Sequence, residues 1–132
     1  MIRKILRLIL AALYRLAGYM HLVEPAPFLT ITPDWVPFPE AIIFWTGIAE
    51  IAGAIALVQP FWHKLRQAAG IGLALYALCV WPANINHFAM DMAREDGGLG
   101  LAYHVPRMIA QPVLIWLALW VGEVIGPNQK RA

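Results

Sequence analysis

The chain has 132 residues, of which 61% are hydrophobic and 14% charged, and its mean hydropathy is +0.62. Soluble globular domains carry about 25% charged residues, so this composition excludes an ordinary soluble domain and indicates one membrane-embedded domain, residues 1–132. The net charge of +2 is small and gives no reason to expect a nucleic-acid partner.

Four apolar windows come close to the length needed to cross a hydrocarbon core of ~30 Å. They span about residues 5–22, 41–59, 67–87 and 105–125. They predict an all-α fold, an integral membrane four-helix bundle with outer loops at 23–40 and 88–104. The first window follows the basic start MIRKILR, which is typical of a signal peptide. We predict a retained span instead, because Arg15 interrupts the window and no small-residue cleavage motif follows.

Except for Arg94, the basic residues outside the windows, together with Arg7, fall on one side of the predicted bundle. Cytoplasmic loops carry an excess of Lys and Arg, so both termini are predicted to be cytoplasmic. Arg94 is the only cation in the two outer loops, which carry six carboxylates. The basic residues of the inner side are Arg3, Lys4, Arg7, Lys64, Arg66, Lys130 and Arg131.

The first outer loop, with the preceding turn, reads HLVEPAPFLTITPDWVPFPE and holds five of the ten prolines. We expect no helix here, because proline removes a backbone donor and biases the preceding residue toward extended geometry. Aromatic residues such as Phe28, Trp35 and Phe38 alternate with the prolines and suit a membrane interface. The loop is either a lid over the outer end of the bundle or an interfacial loop with no ligand beneath it.

Arg15 in the first span and Glu50 in the second are ionisable residues within apolar windows. Such residues usually face a partner or a cavity, and we predict an ion pair between them. Gly47 and Gly53 flank Glu50 and would allow a neighbouring helix to approach closely. The pair could fix the helix register only, or it could also contact a ligand.

The third and fourth spans contain Pro82 and Pro112, each of which frees a backbone carbonyl one turn earlier. In a membrane, such carbonyls are tolerated beside polar side chains, water or a cavity. Polar residues lie close by in both segments, which predicts a polar pocket that opens outward. The ligand-pocket candidates are Arg15, His21, Glu50, Asn84, Arg107 and Gln111.

The sequence gives little support for an intrinsic cofactor. His21, His87 and His104 lie at outer span ends, but no two histidines have the i, i+3 or i, i+4 spacing of a helical metal motif. They are weak candidates, and we predict no metal. The single Cys79 excludes internal thiol–disulfide exchange, and no nucleotide-binding motif is present. The chain is not expected to be a catalyst on its own.

Four segments together resemble the DoxX family of small four-helix bacterial membrane proteins: YRLAGYMHLVEPAPFLTITPDWVPFP, GIAEIAGAIAL, VWPANINHFAM and HVPRMIAQPVLIW. The resemblance implies a four-helix bundle in the bacterial inner membrane. For some members it implies association with redox systems such as thiosulfate:quinone oxidoreductase. The matching positions are Arg15, Gly18, His21, Gly47, Glu50, Gly53, Pro82, Asn84, Arg107 and Gln111.

Three functional hypotheses follow from these observations. The first is a subunit of a membrane redox or respiratory complex, which lines a quinone or lipid pocket while partner proteins hold the electron carriers. The second is a stand-alone binder or carrier of a small molecule. The third is a structural or assembly protein whose buried polar pairs only specify packing.

Overall fold

The computed structural model describes residues 1–127, and these residues form five helices and no strand. Four of the helices are long and apolar enough to cross a membrane, which confirms the all-helical architecture predicted from hydropathy. Lys130 and Arg131 lie outside the described residues. The helices are α1 (Ile2–Val23), α2 (Ala26–Ile31), α3 (Pro39–Val58), α4 (His63–Met92) and α5 (Leu101–Val121).

The short helix α2 lies in the loop that we expected to have no helix, so that expectation was wrong. Pro25 is the residue just before α2, and Pro27 lies in its first turn. The N–H groups of a first turn have no helical acceptor, so proline costs nothing there. The helix ends at Ile31, and Thr32 is extended (φ −68°, ψ 129°), as expected for a residue before proline.

The third span is longer than the apolar window predicted. Helix α4 continues five residues beyond His87, because the segment that follows contains helix-forming residues and no Gly or Pro before Gly97. The connection to α5 is therefore short, residues 93–100, and it contains three glycines with positive φ. Pro82 lies inside α4, and Pro106 and Pro112 lie inside α5.

The four long helices pack in a ring in which α1 contacts α3 and α5, and α4 contacts the same two helices. The α1–α3 interface is close because it is built on glycine. A Cβ at Gly18 would lie 2.6 Å from the Gly47 carbonyl oxygen, and one at Gly47 would lie 2.8 Å from His21 Cβ. Leu10 and Leu57 are fully buried in the core, whereas many large apolar side chains cover the outside of the bundle.

The connection between α3 and α4 is a tight turn organised by Gln59. Pro60 follows Gln59 and prevents α3 from continuing. The Gln59 Oε1 accepts hydrogen bonds from the backbone N–H groups of Phe61 (2.9 Å) and Trp62 (2.8 Å). Its Nε2 donates to the carbonyls of Ala56 and Trp62. One side chain thus bonds two backbone N–H groups and two carbonyls of the turn.

Candidate functional site

A group of polar side chains lies where the C-terminal part of α4 meets the N-terminal part of α5. We call it the α4–α5 cluster. The spacing of three and four residues puts its α4 members on one helical face, and the α5 members are also three apart. The cluster consists of Asn84, His87 and Asp91 from α4 and His104 and Arg107 from α5.

Asp91 is the buried anion of this cluster. Its Oδ2 accepts hydrogen bonds from His104 Nε2 at 2.8 Å and from the Leu99 backbone N–H at 2.9 Å. Asp91 is 6% exposed and His104 is fully buried. Gly98 has a φ of +56° and packs on the carboxylate so closely that a Cβ there would overlap it. The 93–100 connection is therefore shaped to hold this carboxylate.

Arg107 provides the cationic end of the cluster. Its Nη2 donates to Asn84 Oδ1, its Nη1 donates to His87 Nδ1 at 3.1 Å, and its Cζ lies 4.9 Å from the Tyr103 ring centroid. A guanidinium N–H can only donate, so His87 Nδ1 accepts and carries no proton. Both hydrogen-bond partners are therefore neutral, and no ion pair within residues 1–127 includes Arg107.

The side chains of His87, Asp91 and His104 could in principle hold a metal ion, because their ligand atoms all lie within 4.8 Å of one another. The hydrogen bonds oppose this use. Since His87 Nδ1 accepts from Arg107, the proton of the neutral ring is on Nε2, the nitrogen 3.6 Å from Asp91 Oδ2. A metal would have to displace this proton and lie near the guanidinium charge. The hydrogen-bonded network fits these residues better than a metal centre.

A second buried group centres on Glu50, which is 2% exposed. His21 Nδ1 lies 3.3 Å from Glu50 Oε2 and also 3.3 Å from Thr46 Oγ1. The Tyr76 phenol lies beside the same carboxylate. The ring of Phe28, from α2, packs edge-on against His21 with centroids 4.0 Å apart.

The predicted Arg15–Glu50 ion pair was wrong. On α1 the face turned to its neighbours contains Tyr14, Gly18 and His21, and Arg15 projects to one side of this face, where it is exposed. The ionisable side chain of α1 that contacts Glu50 is His21, whose Nδ1 lies 3.3 Å from Glu50 Oε2.

The structure divides the ligand-pocket candidates into separate groups. It brings Asn84 together with Arg107, and His21 together with Glu50. Gln111 is buried one turn beyond Arg107 on α5, and no hydrogen bond within residues 1–127 joins its side chain to either group.

The short helix α2 contacts α1 at His21 and also packs on α3 and α4. Phe28 covers His21, and the carbonyl of Ile31 accepts a hydrogen bond from Asn86 Nδ2 on α4 at 3.0 Å.

Sequence reasoning missed Asp91, the residue that holds the α4–α5 cluster together. The signal was available in the i, i+4 spacing of His87 and Asp91, but only pairs of histidines were considered as a helical motif. The segment was also assigned to a loop, where such spacing carries no meaning.

Comparison with known proteins gives a family without a described activity. The family model described as a domain of unknown function (DUF8561) matches residues 10–122, a range that includes both buried groups. No curated protein and no solved structure matches the chain. Because the match covers most of the sequence, the chain belongs to the DUF8561 family.

Proposed function

We propose that this protein is an integral subunit of a bacterial inner-membrane redox complex, and that its α4–α5 cluster binds the oxygen-bearing head of a quinone or a lipid. The resemblance to the DoxX family supports the redox association. The binding role rests on one observation, which is that the half-buried Arg107 has only neutral hydrogen-bond partners among residues 1–127.

A guanidinium has five N–H donors in a planar fork that can bind one oxygen-bearing group with two directed bonds. In Arg107, two of the donors are used by Asn84 and His87, and these partners orient the fork without neutralising it. A carbonyl, phenolate or phosphate oxygen would supply the missing acceptor. The Tyr103 ring offers an aromatic surface beside the guanidinium.

The network behind Arg107 preorganises this donor. Asp91 is fixed by His104 and by the Leu99 backbone, and it faces Nε2 of His87. This contact favours the His87 tautomer whose Nδ1 accepts from Arg107. The cluster therefore acts as one unit, in which buried Asp91 sets the position of a half-buried cation.

The proposal includes membrane insertion with both termini in the cytoplasm. Basic residues from α1 and α4 line one end of the bundle. At the opposite end, the single loop cation Arg94 makes two hydrogen bonds of 2.9 Å to Asp96. That end therefore carries no excess of positive charge, in agreement with the positive-inside rule.

Cysteine labelling tests this topology. In a Cys79→Ala background, Asp34→Cys and Glu95→Cys are expected to react with a membrane-impermeant thiol reagent in intact cells, whereas Lys64→Cys reacts only after permeabilisation. All three positions are exposed. Gly98 is unsuitable for this test, because a side chain there would overlap Asp91. Labelling of Lys64→Cys alone in intact cells would show that the orientation is reversed.

Substitution of Arg107 tests the binding role. Arg107→Ala is expected to lower about 10-fold or more the amount of one copurifying ligand, the quinone or the lipid species that the α4–α5 cluster binds, because a hydrogen bond to a charged group contributes ~1.5 to 3 kcal/mol. Arg107→Lys keeps the charge but loses the planar fork, so we expect an intermediate loss. The measurement is mass spectrometry of organic extracts from protein purified in mild detergent, expressed per mole of protein.

Arg94→Ala is the matched control, since Arg94 is an exposed cation at the same end of the bundle and, within residues 1–127, forms an ion pair only with Asp96. It should leave the bound ligand unchanged. A well-folded Arg107→Ala protein with unchanged ligand content contradicts the binding role and leaves a packing role. The proteins that copurify are identified in the same preparation. Copurified redox proteins would indicate a complex subunit, whereas a stand-alone carrier would copurify with its ligand and no redox protein.

A further inference from the structure

The end of the bundle opposite the α4–α5 cluster contains a cavity of about 1500 Å³, which we call the basic cup. Its lining comes from the start of α1, from the end of α3 with the turn and the start of α4 that follow, and from the segment after α5. Its charged lining includes Arg3, Lys4, Arg7, Lys64, Arg66 and Glu123.

The charges of the basic cup do not balance. Within residues 1–127, Glu123 is the single carboxylate of its lining, and it is already bound by Arg7 (2.5 Å), Arg66 (3.3 Å) and His63 (2.8 Å). Five cationic side chains thus face one carboxylate, which leaves an excess of four positive charges among the described lining residues with His63 counted as neutral. An anion is the chemical partner that such a lining favours.

Unused hydrogen-bond donors point to the same kind of ligand. The Nε of Arg66 is buried and has no acceptor within residues 1–127. Its two other nitrogens donate to Glu123 and to the Gln59 carbonyl, which holds the side chain in place. Helix α4 begins at the cup, and no side chain caps its first N–H groups. Backbone N–H groups at a helix start bind phosphate-like oxygens well.

An apolar groove continues from the basic cup along α3 and α4. This groove has a volume of about 490 Å³ and is lined by Ala52, Ile55 and Leu65, and it shares Phe61 and Trp62 with the cup. Phe61 is 91% exposed and Trp62 is 71% exposed. Charged and apolar sites are thus continuous, an arrangement that suits a ligand with an anionic head and a long apolar chain.

We propose that the basic cup binds the phosphate headgroup of an anionic glycerophospholipid, with one acyl chain in the α3–α4 groove. The inference rests on the membrane insertion proposed above, but it does not involve the α4–α5 cluster. Basic clusters beside membrane spans attract anionic lipids with about 1 kcal/mol per Lys or Arg, which is about 5-fold in affinity for each side chain.

Lipid binding by the purified full chain tests the proposal. Native mass spectrometry should show that phosphatidylglycerol binds more tightly than phosphatidylcholine with the same acyl chains. The double variant Lys4→Gln/Lys64→Gln should weaken phosphatidylglycerol binding roughly 10- to 30-fold, from the per-residue contribution of basic side chains. It spares Arg7 and Arg66, which hold Glu123, so the fold should be retained.

The matched control is Arg15→Gln/Arg94→Gln, which removes the same charge from exposed positions outside the cup and should leave the affinity unchanged. Equal binding of the two lipids, or equal losses in both double variants, would overturn the proposal. Competition by inorganic phosphate at the same concentration as the lipid would show that the cup takes free phosphate, which overturns the lipid assignment. An Arg107→Ala protein should retain its phosphatidylglycerol. Failure of the lipid proposal for the basic cup can therefore be distinguished from failure of the binding role proposed for the α4–α5 cluster.

Discussion

Glu50→Ala is expected to lower the free energy of unfolding in detergent by about 2 to 5 kcal/mol, from the cost of breaking a buried pair and leaving a cavity. The carboxylate is 2% exposed, and its removal deprives both His21 and Tyr76 of a neighbour. The change is measured by reversible unfolding in mixed micelles, as the fraction of denaturing detergent is increased. Glu40→Ala, an exposed carboxylate on the same helix, should have little effect.

A double-mutant cycle identifies the partner of Glu50. The cycle of Glu50→Ala with His21→Ala should give a coupling energy of about 0.5 kcal/mol or more, the range for residues in contact. The cycle with Arg15→Ala should be additive, because Arg15 lies exposed to the side of the α1–α3 interface. The opposite result would restore the Arg15–Glu50 pair that the sequence suggested.

Gly18→Ala should destabilise the protein by about 1 to 3 kcal/mol, the usual cost of overpacking a close interface. The new methyl group would lie 2.6 Å from the Gly47 carbonyl oxygen, which belongs to the backbone of α3 and cannot rotate away. The two helices would have to separate, and the His21–Glu50 contact lies directly beside them.

Gly72→Ala is the control for this substitution. Gly72 is also helical, but a Cβ there meets no atom within 4 Å. We expect no loss and a gain of up to about 1 kcal/mol, because alanine favours the helix over glycine. Thermal unfolding in one detergent compares the two variants, and equal effects would contradict the close packing of α1 on α3.

The four long helices could be predicted from hydropathy because each apolar window is near the length of a membrane span. The exact ends could not, since the third apolar window was ended at His87, whereas residues 88–92, which are apolar except for Asp91, continue α4. Helix α2 was missed for a different reason. The expectation was based on the number of prolines and not on their positions. Pro25 and Pro27 occupy the helix start, where they are tolerated.

The candidate site was predictable in some of its residues, but Asp91 was missed and the pairings were not predictable. Asn84 and Arg107 were expected near one another, and they share a hydrogen bond. The partner of Glu50 depends on which side of α1 faces α3, and the close approach at Gly18 and Gly47 turns His21 toward Glu50 instead of Arg15. The rotational setting of α1 depends on how α1 and α3 pack together, so it cannot be read from the sequence of either helix alone.

The Gln59 turn bears on the order in which the helices pair while the chain is being synthesised. It joins α3 and α4 through local hydrogen bonds alone, so the two helices can pair as a hairpin once the ribosome has made them, before α5 exists. Contacts that span most of the chain form last, and the hydrogen bond from Arg7 to Glu123 joins residues 116 positions apart. The basic cup can therefore be completed only after Glu123 has been synthesised, and a nascent chain paused after α4 would present the cationic residues of the cup without this carboxylate.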